Sequence, residues 1–173
     1  MGVFTRFKDI IGSNINAMLD RAEDPEKMIR LMIQEMEETL VEMKAACASQ
    51  IADRMRLERE LETLGALVAK WDERARLAVE KGRDDLAREA LLEKQRYEKV
   101  CEDQERELER FKQLIDSSQA DIARLEDKIV SARKKQRLLV QRHLRAERKL
   151  HAEKAIRRST VGDAALKFEQ YEH

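Results

Sequence analysis

Along most of this chain, apolar residues recur at alternating spacings of three and four, the period of a helix face packed against another helix. The longest series runs without a slip through Ala87, Ala90, Lys94, Tyr97, Cys101, Gln104, Leu108, Phe111, Ile115, Ser118, Ile122, Leu125, Ile129, Ala132, Gln136, Leu139, His143, Ala146 and Leu150. Fourteen of these nineteen positions are apolar, which predicts a long coiled-coil helix. An earlier stretch carries the same spacing in two blocks. Ile29, Ile33, Met36, Leu40, Met43 and Cys47 form one, and Leu61, Leu64, Val68, Trp71, Ala75 and Ala78 form the other. Ile51, Met55 and Leu57 join them less regularly.

Three breaks punctuate the pattern. At Asp24-Pro25-Glu26, Asp24 can cap free N–H groups, Pro25 is preset for the first helical position, and Glu26 suits the positive end of the dipole. At Lys81-Gly82-Arg83-Asp84-Asp85, Gly82 suits a left-handed residue and Asp84 can cap the next helix. Thr160-Val161-Gly162-Asp163 is the third, after which Ala164 to Tyr171 reads as the start of a short helix.

A short glycine-containing connection folds two helices back on each other, so the two long segments are expected to form an antiparallel hairpin. Setting Ala78 against Ala87 at the tip opposes Val68 to Tyr97, Leu64 to Cys101, Ile51 to Ile115, Leu40 to Leu125 and Met36 to Ile129. Apolar residues therefore face apolar residues along the seam. Cys47 then faces Ser118, far from Cys101, which disfavours a disulfide within the chain. Trp71 faces Lys94, where a core or cation–π role fits. At 1.5 Å per residue, residues 26–80 would make a rod of roughly 80 Å. Residues 141–158 would overhang it, uncovered by their own chain.

The first twenty residues differ in character. At 100° per residue, Val3, Phe4, Phe7, Ile10, Ile11, Ile15, Met18 and Leu19 share about half of a helix circumference, with Thr5, Asp9, Ser13, Asn16 and Asp20 on the other half. Arg6 and Lys8 flank the apolar face, where long basic side chains can reach lipid phosphates while the apolar residues insert among acyl chains. Full burial of one such side chain is worth on the order of 1–3 kcal/mol. With Gly12, Asn14 and Asn16, the segment is expected to be marginally helical in water and to order on a membrane. The alternative is that it docks on the hairpin as a third bundle strand.

Composition agrees with long helices: 40% of residues are charged and 4% aromatic, with one proline and five glycines. Formal charge is zero, from 35 basic and 35 acidic residues, but it is segregated. Residues 128–158 hold twelve Lys or Arg against Glu147 and Glu153, whereas Glu102, Asp103, Glu105, Glu107 and Glu109 face only Arg106 in their stretch. That distribution suits staggered self-association, or else a merely solvated charged face. The basic stretch lacks interleaved aromatics, so no direct nucleic-acid partner is expected. No run is long enough to span a membrane and no secretion signal precedes the first helix, which points to a cytoplasmic location. Two cysteines without CxxC context offer no zinc site. His143, Glu147 and His151 share a helix face, and the spacing reads as i,i+4 pairing rather than metal ligation. No phosphate loop, dinucleotide fingerprint or nucleophile elbow occurs, so neither an enzyme nor a cofactor is expected.

Met1-Gly-Val-Phe-Thr-Arg-Phe-Lys-Asp-Ile10, the run Ala22-Glu-Asp-Pro-Glu-Lys-Met-Ile-Arg-Leu-Met-Ile-Gln-Glu-Met-Glu-Glu-Thr-Leu40 and Asp84-Asp-Leu-Ala-Arg-Glu-Ala-Leu-Leu-Glu-Lys-Gln95 resemble the family of phage shock protein A and the vesicle-inducing protein in plastids, bacterial relatives of ESCRT-III. The phage-shock branch is favoured. The resemblance implies polymers of overlapping hairpins and an N-terminal helix on anionic membrane, with protection of the stressed inner membrane. In the phage-shock branch it also implies inhibition of the sigma-54 AAA+ activator PspF through the hairpin. Ala164 to Glu172 looks like the start of the family's later helix, which crosses a neighbour's hairpin tip.

The expectation is therefore an all-α protein with three segments. Residues 1–23 form an amphipathic membrane-binding helix, bearing Val3, Phe4, Arg6, Phe7, Lys8, Ile10, Ile11, Ile15, Met18 and Leu19 as lipid-facing residues. Residues 24–158 form the hairpin, with Met36, Leu40, Ile51, Leu64, Val68, Tyr97, Ile115, Leu125 and Ile129 in its seam. Residues 159–173 form a linker and a short C-terminal helix. Arg142, Arg145 and Arg148 of the overhang, with Phe168 and Tyr171, are the expected assembly residues. The competing reading is a cytosolic coiled-coil adaptor without membrane activity.

Overall fold

The computed structural model describes residues 2–171, so Met1, Glu172 and His173, at the ends of the first and last expected segments, lie outside the described residues. Among the described residues there are four helices and no strand: α1 (Val3–Gly12), α2 (Ile15–Asp20), α3 (Pro25–Glu80) and α4 (Asp84–Tyr171). The expected all-α hairpin is formed by α3 and α4.

Local chemistry sets the helix ends. Asp24 accepts the backbone N–H of Lys27 through Oδ1 at 3.1 Å, and its carbonyl accepts that of Met28 at 3.1 Å, so α3 starts at Pro25 with Asp24 as its cap. At the other end Gly82 has φ +68°, the Arg83 N–H reaches the Ala78 carbonyl at 2.8 Å, and the Gly82 N–H reaches that of Val79 at 3.1 Å. This paired arrangement ends a helix by using its free carbonyls, and it needs the left-handed residue that glycine supplies. The Ala87 N–H then bonds the Arg83 carbonyl at 3.0 Å. Arg83, not Asp84, is therefore the capping position of α4, and Asp84 and Asp85 lie in its first turn, where the helix dipole favours their charge.

Two expected boundaries are corrected. The predicted linker at 159–163 and separate short C-terminal helix are absent: α4 continues through Thr160, Val161, Gly162 and Asp163 to Tyr171. One helical glycine costs only about 1 kcal/mol relative to alanine, and the Thr160 hydroxyl turns inward to the Ile156 carbonyl at 2.8 Å instead of competing from outside. Conversely, the single amphipathic helix expected over residues 3–19 is broken in two. The Ser13 hydroxyl donates to the Ile10 carbonyl at 2.6 Å, and Asn14 caps α2 by accepting the Ala17 N–H at 3.2 Å. These short polar side chains offer the backbone a better partner than a continued helix does.

The chain divides into two compact units. One is built on Thr39–Leu125 and contains the inter-helix turn. Here Ala75, Ala78, Ala87 and Ala90 are buried, small residues that bring the two backbones close beside the turn. Met43, Cys47, Ile115 and Leu125 are buried further along, with Thr39 and Ser118 as buried polar residues. Between these clusters Ile51, Leu64, Val68, Tyr97 and Cys101 are only half-buried, because two helices alone cover no more than a stripe of each other. The other unit comprises Phe4–Glu38 and the part of α4 from Glu126 onward. There α1 and α2 add a further helical layer, and Ile29, Ile33, Met36, Ile129 and Ala132 are buried.

Polar pairs across the hairpin report its register. In the first unit Lys94 Nζ meets Asp72 Oδ1 at 2.9 Å, and the Ser118 hydroxyl donates to Gln50 Oε1 at 3.1 Å. In the second, Arg133 pairs with Glu37. The expected seam opposed these α3 residues to positions 93, 115 and 128, so the observed partners lie one, three and five positions further along α4. The offset grows with distance from the turn. Trp71 is corrected too: Lys94 is taken by Asp72, and the cation over the indole is Arg74, 4.7 Å from the ring centroid on the same helix.

Candidate functional site

The residues expected to face lipid are divided by the structure. Phe7, Ile10 and Leu19 are 4%, 8% and 3% exposed, so the centre of the apolar arc is covered by protein. Val3, Arg6, Ile11 and Ile15 are half-buried, while Lys8, Met18 and Phe4 are exposed, Phe4 at 54%. The segment is thus docked, and the expectation that it stays marginal in water gives way to the alternative of a third bundle strand. Met18, Met32 and Met36 line one small cavity with Asp9, Ile10, Ser13 and Glu35, which places the corner between α1 and α2 against α3. Methionine fills irregular gaps of this kind well.

The other side of the corner meets α4. Lys128, half-buried, extends its ammonium to the Ser13 carbonyl at 2.9 Å and the Ile11 carbonyl at 3.4 Å. A groove of about 720 Å³ opens beside it, lined by Asn14, Asn16, Lys128, Lys134 and Lys135 among others, and no carboxylate lines it. Sequence reading passed over Lys128, which sits one position from the seam residue Ile129. It also passed over Thr39, buried beside Leu40, although Ser13-Asn14 before Ile15 does carry a legible helix-start signal.

The basic stretch at the end of α4 is exposed. The seam series stays at least half-buried to Leu139, and from Gln141 to Tyr171 every residue is exposed. Leu144, Leu150, Ile156, Val161 and Leu166 expose apolar surface among Arg142, Arg145, Arg148 and Lys149, and Phe168 and Tyr171 are 71% and 90% exposed. His143 pairs with Glu147 through Nε2 at 3.1 Å and approaches Glu26 through Nδ1 at 3.7 Å. Among the described residues, no three His, Cys, Asp or Glu side chains are grouped to hold a metal ion. Among the described residues, no helix is long and apolar enough to cross a membrane.

The two cysteines are unpaired. Cys47 is buried and Cys101 half-buried, and loss of hydration, with the Glu105 and Glu98 charges adding to it, pushes the Cys101 thiol up from its ordinary range. That is the reverse of what a nucleophilic thiolate requires.

Comparison with known proteins matches this architecture. The PspA/IM30 family profile covers residues 2–173. Membrane-associated protein Vipp1 of Nostoc punctiforme is 32% identical over 172 residues, 99% of this chain and 67% of the relative. The protein of the same name from Synechocystis is 30% identical over 173 residues, covering 100% of this chain and 65% of its own length. The phage shock protein A homolog of Bacillus subtilis is 34% identical over 131 residues, 76% of this chain and 56% of that protein. The chain therefore spans about two thirds of the length of the first two relatives and just over half of the third. With the profile running through both N-terminal helices and the whole hairpin, the chain belongs to the PspA/IM30 family.

Proposed function

We propose that this protein is a membrane-associated, self-assembling hairpin that maintains or remodels the stressed inner membrane from its cytoplasmic face. The amphipathic N-terminal segment carries the reading. Helical periodicity puts Phe4, Phe7, Ile10 and Ile11 toward one face of α1, with Arg6 and Lys8 beside them, as a helix lying in a lipid interface requires. Relatives named as membrane-associated support it. Assembly would use the uncovered overhang, whose exposed leucines and arginines are suited to a neighbouring hairpin with an acidic stretch such as Glu102 to Glu109. Within the phage-shock branch the hairpin would also restrain the sigma-54 AAA+ activator PspF. Addition of the purified chain is then expected to lower that activator's ATPase rate.

The membrane reading is tested by flotation with anionic liposomes. Deleting residues 2–20, or changing Phe4 and Phe7 together to Asp, is expected to abolish flotation while circular dichroism still reports a helical hairpin. Unchanged flotation refutes the assignment.

A further inference from the structure

The last carbonyls of a helix have no partner within it and form the negative end of its dipole. In α1 the Ile10 carbonyl takes the Ser13 hydroxyl and N–H, but no local cation meets the negative end. The helix has no basic residue in its last turn, and Gly12 is not in the left-handed conformation that would cap it, since Gly82 is the only glycine with positive φ among the described residues. The cation comes instead from more than a hundred residues away. Lys128 of α4 places its ammonium on the Ile11 and Ser13 carbonyls, at the end of α1 and at the bend that separates it from α2.

The apolar face behind this contact is already committed. Phe7 and Ile10 are buried against the chain itself, yet they are the centre of the arc that would enter a lipid interface. One face cannot occupy both environments, so docking and membrane insertion compete for the same side chains. Helices of ten and six residues are too short to be stable alone in water. Their docked form therefore depends on tertiary contacts, and Lys128 is the charged one at the C-terminal end of α1.

We propose that Lys128 is a latch holding the N-terminal helix in a docked, autoinhibited state, and that releasing it frees α1 for the membrane. The inference rests on the membrane reading above. An anionic surface biases the equilibrium because it interacts with the released helix and not with the covered face, which is the differential affinity that a population shift requires. Phe4 in α1 and Met18 in α2, already exposed, are available for first contact.

The test compares the full chain with Lys128→Met, which keeps most of the apolar stem and removes the donor, and with Lys128→Arg, which keeps the charge. Hydrogen–deuterium exchange over residues 4–11 reads docking without any membrane. A charge-assisted bond of ordinary strength predicts roughly tenfold faster exchange there in Lys128→Met, little change in α3, and substantial recovery in Lys128→Arg. Flotation at limiting amounts of phosphatidylglycerol vesicles should rise in Lys128→Met. Unchanged exchange in that variant overturns the latch, and faster exchange with unchanged or weaker flotation overturns its coupling to the membrane. Failure of the unsubstituted chain to float would instead refute the membrane reading, with the exchange comparison still deciding whether Lys128 holds α1.

Discussion

Asp72 and Lys94 show how one polar pair is placed on a half-buried seam. The hydrogen bond from Lys94, reinforced by the positive field of Arg76 and of Lys94 itself, holds the Asp72 carboxyl below its ordinary value of 3.8; the same contact raises Lys94 above 10.5. The lowered carboxyl contributes stability that is present above the unfolded aspartate's pKa and is lost as pH falls through the folded one. The raised amine contributes stability that is present below the unfolded lysine's pKa and is lost as pH rises through the folded one. Thermal midpoints of the native chain and Asp72→Asn are therefore expected to differ near neutrality and converge in acid, as the native carboxyl is protonated. Parallel curves across the whole acid range would show that the pair makes no titrating contribution. Sequence placed Lys94 on the seam but gave it to Trp71. Both neighbours share that part of α3, and only the side-chain geometry chooses the carboxylate over the ring.

At the scale of elements, the turn between α3 and α4 depends on one backbone conformation. A Cβ added to Gly82 would meet nothing within 4 Å, so the cost of Gly82→Ala is the left-handed conformation alone, about 1–2 kcal/mol. A fall in stability of that size by chemical denaturation, with unchanged helicity at low denaturant, is the expected outcome. No loss would mean that the turn readily adopts another closure. The N-terminal helices show the opposite balance. Ser13 and Asn14 break a segment that hydrophobic periodicity alone reads as continuous, because their side chains satisfy backbone groups that a helix would otherwise pair. At Gly162 the local signal for a break is overridden, since one unfavourable residue does not stop a cooperative helix flanked by good helix formers.

For the whole molecule, the overhang of α4 is the feature that an isolated chain leaves unsatisfied. Exposed charge pairs are worth only about 0–1 kcal/mol each, and salt screens them, so one substitution should change the proposed assembly little. Repeated at every contact along a polymer, several together would decide it. Reversing Arg142, Arg145 and Arg148 to Glu is expected to convert large assemblies into small species in sedimentation, with helicity intact. Reversal of Glu102, Glu105 and Glu109 in the same chain should restore part of the size. Polymers of normal size in the triple variant would refute charge-staggered assembly and leave the membrane reading standing.

The sequence by itself determined the two long helices, the cap at Asp24 and the turn at Gly82. Each follows from local propensity or from a period repeated over many turns, and repetition averages out single exceptions such as Lys94 and Gln104. Tertiary structure alone decided where the N-terminal apolar face goes. That face fits lipid and protein equally well, because burial of apolar area has no direction. Lys128, distant in sequence and unremarkable in pattern, caps α1 only because the fold brings it to the end of that helix.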